Sequence, residues 1–274
     1  MEKWFSIGVL LESFRLPMQQ AVEQARKTGV QGVQAYVHNL TASQQKELYM
    51  ILKDNGLKLS AVCGDLGHGF GDPKFNPDLI ERSKRILDTA KELGTDIVTT
   101  HIGVVPANPH HPRYRIMQDA CGELAQYADS IQSHFAVETG PETAETLCAF
   151  LDSLRSTGVA VNLDPANLVM VTGDDPVKAV HTLKKYIVHT HAKDGRKLLD
   201  RDPEIIYHIV KPLEPVTDHA FIELPLGEGD VPFPAYLDAL QEIGYKGFLT
   251  IEREVGANPT EDILKAADYL RQLI

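Results

Sequence analysis

Residues 187–195 read Ile187-Val188-His189-Thr190-His191-Ala192-Lys193-Asp194-Gly195, an apolar run that gains two imidazoles, an ammonium and a carboxylate as it ends. This pattern predicts a buried parallel strand whose carboxyl end reaches solvent. Residues 135–138, 159–164 and 248–254 follow it as well, each an apolar run that ends in a carboxylate. The four stretches therefore predict strands that carry polar chemistry at their carboxyl ends.

The polar side chains of these strands fall on a single face. Alternate side chains of a strand point to opposite faces. The side chains that share one parity are Asn162 and Asp164, then His189, His191 and Lys193, then Thr250, Glu252 and Glu254. A closed barrel of parallel strands would aim such faces at one point above its carboxyl rim.

The whole chain alternates between strand-like and helix-like segments. The predicted strands cover 4–11, 32–38, 57–63, 96–102, a segment ending at 138, 159–164, 187–193 and 248–254, and the predicted helices cover 17–29, 43–55, 78–93, 114–133, 143–157, 176–186, 234–243 and 260–273. Eight alternations with glycine stops predict a single α/β domain, residues 1–274, folded as a (β/α)8 TIM barrel. An open doubly wound sheet is the alternative.

Two connections depart from this alternation. Asn167 is expected in a loop after the sixth strand. The segment 196–225 shows no regular pattern, and so long a connection predicts a functional loop rather than a plain linker.

Composition excludes several classes of function. The net charge of −11 disfavours a nucleic-acid partner, because such a surface must neutralise phosphates. No apolar segment approaches the roughly 20 residues of a membrane span. The amino terminus lacks the apolar region of a secretory signal, and the three cysteines form no CxxC pair. A cytoplasmic location is therefore expected.

Glu138, Asp164, His191 and Glu252 lie near the ends of four different predicted strands. Three carboxylates and an imidazole that converge in a low-dielectric rim repel one another unless protons or a cation intervene. One divalent metal ion is the simplest solution, and this ligand set suits Mn, Mg or Co and also admits Zn. The alternative is a set of ordinary rim charges paired with Lys193, Arg196 or Arg253.

The sequence resembles the xylose-isomerase-like barrels, the sugar (phosphate) isomerase/epimerase family, over nearly its whole length. The resemblance is strongest in AVETG at Glu138, VNLDPAN at Asp164, HTHAKDG at His191, LGEGDVPF ending at Phe233, and FLTIERE at Glu252. In that family the matching residues bind one divalent metal, and the two glutamates move the substrate proton. The resemblance thus implies Glu138 and Glu252 as the catalytic pair.

The resemblance implies an enzyme of carbohydrate metabolism, a metal-dependent isomerase or epimerase. Its substrate would be a small sugar, a sugar phosphate or a related polyhydroxy carbonyl compound, and the proton would move through a metal-stabilised enediolate. Two alternatives stay open: a lyase that dehydrates a keto-inositol or dehydroshikimate, and a non-catalytic sugar-binding barrel. The activity of the related abasic-site endonucleases is not expected, because this chain offers too few ligands for their additional metal ions.

Further residues are expected to contact the substrate: Asn167, His101, Lys193, Arg196, Glu12 and His38. Asn167 stands where ketose epimerases have a histidine, and an amide can bond a hydroxyl but cannot carry a proton or a charge. The identity of the sugar therefore stays open. The sequence also leaves open whether the protein forms a homo-oligomer.

Overall fold

Eight parallel strands close into a barrel in the computed structural model, which describes residues 4–274. The strands in chain order are β1 (Ser6–Leu10), β2 (Gly32–Tyr36), β3 (Lys58–Cys63), β4 (Ile97–Thr100), β5 (His134–Glu138), β6 (Val159–Leu163), β7 (Ile187–Ala192), β8 (Asp194–Lys197), β9 (Phe221–Leu224) and β10 (Phe248–Ile251). Strands β8 and β9 form a separate antiparallel pair, and the other eight form the barrel. The predicted barrel is confirmed, because β1 pairs with both β2 and β10.

Helices follow the barrel strands and, apart from the short α6 and α8, cover the outside of the barrel. They are α1 (Met18–Thr28), α2 (Ala42–Asp54), α3 (Asn76–Glu92), α4 (Pro112–Ser130), α5 (Ala144–Leu154), α6 (Pro165–Asn167), α7 (Pro176–Leu183), α8 (Pro203–Ile206), α9 (Phe233–Glu242) and α10 (Pro259–Leu273). Their apolar faces pack against the outward side chains of the strands to form one continuous core.

Local sequence signals account for several of the helix ends. Thr41 caps α2, since its hydroxyl accepts the N–H of Gln44 while the Gln44 side chain accepts the N–H of Thr41. Helix α1 ends at Gly29, whose φ of 70° lies in the left-handed region that glycine adopts at little cost. These signals explain why the helix ends agree closely with the predicted ones.

The register of β5, β6 and β7 aligns polar side chains inside the barrel. Glu138 of β5 pairs with Asn162 of β6, and a register shift after Val161 lets Asn162 also pair with His189 of β7. All three side chains are buried. The strand parity predicted from the sequence thus places a polar layer directly beneath the carboxyl rim.

Two connections differ from the sequence-based expectation. Asn167 does not lie in a loop, because Asp164 caps a short helical turn, α6, that continues as a π-helix at Leu168–Thr172. The segment 196–225 is only partly irregular, since it contains α8 and most of the β8–β9 pair. Within residues 4–274, no helix has both the length and the apolar character of a membrane span.

We predict that Gly158→Ala destabilises the barrel by about 1–3 kcal/mol, the usual cost of overpacking. Gly158 is buried before β6, and an added Cβ would overlap the Ala125 carbonyl oxygen and the Asp129 amide nitrogen of α4. Gly122→Ala in the same helix is the matched control. It meets no atom within 4 Å and should stabilise the protein by about 0.5–1 kcal/mol. Equal urea midpoints for Gly158→Ala and the wild type would contradict this packing.

Candidate active site

Four ionisable side chains converge at the carboxyl end of the barrel. Glu138 ends β5, Asp164 directly follows β6, His191 lies in β7, and Glu252 directly follows β10. One potential ligand atom from each residue lies within 4.8 Å of those from the others. These are the four residues that the sequence predicts as metal ligands.

His191 is at the centre of the cluster. Its Nδ1 lies 3.3 Å from Asp164 Oδ2, 3.5 Å from Glu138 Oε1 and 3.3 Å from Glu252 Oε2. Its Nε2 lies 3.0 Å from Gln34 Oε1, and the Gln34 amide is oriented by donating to Thr99 Oγ1. Asn162 Nδ2 also lies 3.2 Å from Nε2, so Gln34 and Asn162 together hold the ring with Nδ1 directed at the carboxylates, as a metal-binding histidine requires.

Lys193 opposes the negative charge of the cluster. Its Nζ is buried, lies 3.0 Å from Glu252 Oε2 and 4.0 Å from Asp164 Oδ2, and also contacts Glu254. Burial alone would raise the pKa of Glu252, but the neighbouring Lys193 and His191 hold that pKa well below its usual value. Lys193 offsets part of the charge of the three clustered carboxylates, and a divalent cation held by them would offset it more fully.

A chain of hydrogen bonds fixes Glu138 from below. Thr250 Oγ1 lies 3.0 Å from His189 Nε2, and His189 Nδ1 lies 2.9 Å from Asn162 Oδ1. Asn162 in turn donates to Glu138 Oε2 at 3.2 Å, and Asn167 donates to Glu138 Oε1 at 3.2 Å. Burial lowers the pKa of His189 well below its usual value, so this histidine is neutral. The carboxylate of Glu138 is therefore held in one orientation.

Asp164 is fixed by its own helical turn. Its Oδ1 accepts the backbone N–H of Asn167 at 2.9 Å, and its backbone N–H donates to Thr139 Oγ1 at 2.8 Å. Oδ2 is thereby left to face His191. Three carboxylate oxygens and one imidazole nitrogen directed at a common point fit a hard divalent ion such as Mg or Mn, and they also fit Co or Zn.

A cavity of about 380 Å³ opens beside the cluster, a volume suited to a small molecule. It is lined by side chains of the barrel rim, among them Tyr36, Asp65, His68, His101, Glu138 and Glu252, and by Ile206, Tyr207, Ile209 and Phe221 from the segment 196–225. A second cavity, of about 480 Å³, lies at the amino end of the barrel, where the residues that line it include no carboxylate.

Three of the residues expected to contact substrate line the first cavity: His101, Asn167 and Lys193. Arg196, Glu12 and His38 do not line it. Arg196 is exposed on β8, where its Nε donates to Asp230 Oδ1 at 2.9 Å. Glu12 Oε1 accepts the Tyr36 backbone N–H at 3.1 Å.

Strand β2 ends before His38. It ends at Tyr36, so Tyr36 rather than His38 lines the cavity. The His38 ring packs edge-on against the Tyr36 ring, with 5.7 Å between the ring centroids.

Asp65 and Tyr207 line the cavity although the sequence did not single them out. His101 Nδ1 lies 3.2 Å from Asp65 Oδ2, and His101 Nε2 lies 3.7 Å from Glu138 Oε1. Burial opposes the charged form, but Glu138 and Asp65 raise the pKa of His101 to about 9. Asp65 follows β3 as Asp164 follows β6, a signal that could have identified it. Tyr207 has no comparable sequence signal.

Comparison with known proteins supports the same architecture. Residues 22–273 match the family model described as xylose isomerase-like TIM barrel. An inosose dehydratase of Clostridium tetani is 31% identical over 160 residues, which are 55% of this chain and 50% of that protein. This chain thus matches about half the length of that curated relative.

Two solved structures superpose over nearly the whole chain. A xylose isomerase domain protein from Planctomyces limnophilus has a TM-score of 0.81 and 25% identity, and the match covers 98% of this chain and 97% of that one. A xylose isomerase-like TIM barrel protein from Mycobacterium smegmatis, in complex with magnesium, has a TM-score of 0.72 and 18% identity, covering 100% and 98% of the two chains. The second likeness shows the fold alone.

We predict that His191→Ala and Glu252→Gln each reduce the divalent metal content of the purified protein to a small fraction of the wild-type value. Each change removes one of only four ligands. His181→Ala, on the exposed surface of α7, is the matched control and should retain the metal. Plasma mass spectrometry after equilibration with Mn²⁺ measures the content, and circular dichroism verifies folding. Full occupancy in both folded variants would refute the ligand assignment.

We also predict that Gln34→Leu weakens Mn²⁺ binding by about 10- to 100-fold, the usual effect of removing a partner that orients a histidine ligand. Gln34 contacts His191 Nε2 but is not itself one of the four proposed metal ligands. Gln31 is exposed and directly precedes β2, the strand that carries Gln34, and Gln31→Leu should leave the affinity for Mn²⁺ unchanged. Calorimetric titration with Mn²⁺ compares them, and an unaltered affinity in Gln34→Leu would speak against this orientation of His191.

Proposed function

The chain belongs to the xylose isomerase-like TIM barrel family, and on that premise we propose that it is a metal-dependent lyase that dehydrates a small polyhydroxy ketone of the keto-inositol class. The ligand set of Glu138, Asp164, His191 and Glu252 beside a small-molecule cavity supports a metal-dependent reaction. The likeness to an inosose dehydratase supports dehydration. A divalent ion held there would polarise the substrate carbonyl and so acidify the adjacent C–H bond.

The observation that carries the choice of dehydration is the closeness of His101 to Glu138. Loss of water from adjacent carbons requires a base for the proton and an acid for the departing hydroxyl, and both can act from one side of the substrate. Glu138 Oε1 and His101 Nε2 lie 3.7 Å apart and both residues line the cavity. Asp65 orients His101 through its Nδ1, which leaves Nε2 directed toward the substrate space.

Glu138 takes the proton from the carbon next to the carbonyl, and the electron pair of that C–H bond becomes the new C=C bond. The neighbouring C–O bond breaks, and His101 Nε2 donates a proton so that the hydroxyl leaves as water. The proton on Glu138 then passes to His101 Nε2, which restores both groups for the next turnover.

Isomerisation or epimerisation, which the resemblance implies, is the second candidate. Glu138 and Glu252 approach the common point from β5 and β10, strands that are separated in the barrel by β6 and β7. Two carboxylates so placed can serve opposite faces of one carbon. Glu252, however, is engaged by Lys193, and Asn167 replaces the histidine of the ketose epimerases. Dehydration therefore remains our first choice.

Other properties inferred from the sequence stay predictions. We propose a sugar-like small molecule as the substrate and no nucleic-acid partner, in keeping with the net charge of −11. A cytoplasmic location is likewise proposed from the sequence, which leaves the oligomeric state open.

We predict that His101→Asn separates the two halves of the reaction. A panel of keto-inositols, ketoses and ketose phosphates is incubated with Mn²⁺-loaded protein in deuterated water. The wild type should exchange the proton next to the carbonyl and form an unsaturated product that absorbs in the ultraviolet. His101→Asn should retain exchange but lose about 10²- to 10⁴-fold in product formation. Glu138→Gln should lose both, and His68→Asn, which changes another histidine of the cavity, is the control.

The alternatives give other outcomes in the same experiment. Exchange with a rearranged sugar and no absorbing product would favour the isomerase or epimerase. Binding without exchange would favour a non-catalytic barrel. Equal losses of exchange and elimination in His101→Asn would remove the proposed role of that histidine.

A further inference from the structure

The segment 196–225, here called the insertion, extends over the cavity and is anchored to the barrel. Glu204 of α8 forms an ion pair with Arg113 at the start of α4. Both side chains are partly buried, with exposed fractions of 16% for Arg113 and 28% for Glu204, and the pair joins the insertion to the barrel. Asp202 caps α8 by accepting the Glu204 N–H at 2.8 Å. The insertion is therefore a fixed part of the cavity wall.

Tyr207 is the polar residue that α8 presents to the cavity. It follows α8 directly, and its ring lies 6.1 Å from the His101 ring at an angle of 42°. Ile206 and Ile209, on either side of it, also line the cavity. Tyr207 thus contributes a phenol to an otherwise apolar wall that faces the proposed acid, His101.

Gly140 provides the space for the Tyr207 hydroxyl. A Cβ added at Gly140 would lie 2.7 Å from Tyr207 Oη and 2.9 Å from Asn167 Cβ. The phenol oxygen therefore sits against the loop that follows β5, next to the Asn167 side chain that bonds Glu138.

The Tyr207 side chain is half-buried and lines the cavity, and its hydroxyl is not among the buried, unpaired polar atoms of residues 4–274, so it can be reached from the cavity. A polar group in such a position normally bonds to water or to a ligand. Burial raises the pKa of Tyr207, so the group remains a protonated phenol and a hydrogen-bond donor.

Lysine and arginine side chains are not free to bind a phosphate in the cavity, because among the described residues that line it only Lys193 is of this type. Arg196 bonds Asp230, and Lys197 Nζ lies 2.6 Å from Asp200 Oδ1. Lys193 is engaged by Glu252 and Glu254. The cavity, by contrast, is lined by several carboxylates: Asp65, Glu138, Glu252 and Glu254. Because Lys193 and His101 are already paired with these carboxylates, no lysine or arginine of the lining is left to neutralise a phosphate, which favours an uncharged ligand.

We propose that Tyr207 is a substrate-binding residue that donates a hydrogen bond to a hydroxyl of an uncharged, unphosphorylated polyol, and that the Arg113–Glu204 ion pair holds it in place. The inference rests on the proposed function for the polyhydroxy character of the ligand. The insertion then determines specificity, since its apolar side chains contact the C–H face of the ligand while the phenol bonds one hydroxyl.

Binding of myo-inositol, which has no carbonyl and cannot react, tests the proposal apart from turnover. Calorimetry with Mn²⁺-loaded protein should show an affinity that Tyr207→Phe weakens by about 3- to 10-fold, the effect of one lost neutral hydrogen bond. Tyr186→Phe, which alters a tyrosine bonded to Asp152 outside the cavity, should bind like the wild type. A phosphate ester of inositol should bind more weakly than inositol itself.

Hydrogen–deuterium exchange of the peptide 203–210 reports on the anchor without any ligand. Several amides of this peptide are hydrogen-bonded within the segment, among them that of Tyr207 to the Pro203 carbonyl at 2.9 Å. Glu204→Gln should accelerate their exchange, and inositol should slow exchange in the wild type more than in Tyr207→Phe.

Three outcomes would overturn the proposal: wild-type affinity in Tyr207→Phe, tighter binding of the phosphate ester, or no inositol binding by the wild type. Inositol binding that depends on Tyr207, together with no reaction of any ketone, would support the proposal while removing the proposed lyase activity.

Discussion

The repulsion among three buried carboxylates around His191 Nδ1 is the constraint on which the rest of this structure depends. Two unit charges 4 Å apart repel by about 4 kcal/mol at an effective dielectric constant of about 20. Glu138, Asp164 and Glu252 surround an imidazole that is 1% exposed, and Lys193 offsets only part of their charge. Such a cluster has a physical rationale when it binds a cation. Without a cation, hydrophobic side chains of similar volume in place of the carboxylates would stabilise the fold more.

The barrel makes this cluster tolerable because it supplies a rigid polar layer beneath it. Inward side chains of neighbouring strands bond one another and orient the groups above them, as Asn162 does for Glu138 and Gln34 does for His191. Helices cover the outward faces, so the polar layer is confined to the interior and the rim. The site is thereby fixed by strands, while the cavity wall is completed by the less regular insertion.

Much of this arrangement follows from local sequence, and the remainder depends on long-range packing. Glu138, Asp164, His191 and Glu252 were identifiable because each ends an apolar strand, and parity fixes the face of each. His38 was expected at the rim, but β2 ends two residues earlier at Tyr36. Tyr207 lies in a segment without periodicity, directly after the helix that the Arg113–Glu204 ion pair joins to the barrel. The choice between isomerase and lyase rests partly on Asn167, which the sequence shows, and partly on the His101–Glu138 distance, which no sequence pattern encodes.

Anomalous diffraction from crystals grown with Mn²⁺ tests the central claim, that the carboxylate cluster exists to hold a metal ion. Data collected on both sides of the manganese absorption edge locate the ion independently of any activity. The account predicts one strong peak bounded by Glu138, Asp164, Glu252 and His191 Nδ1, within about 2.0–2.3 Å of each ligand atom. A crystal with no peak there, or with manganese bound only at other carboxylates, would contradict it.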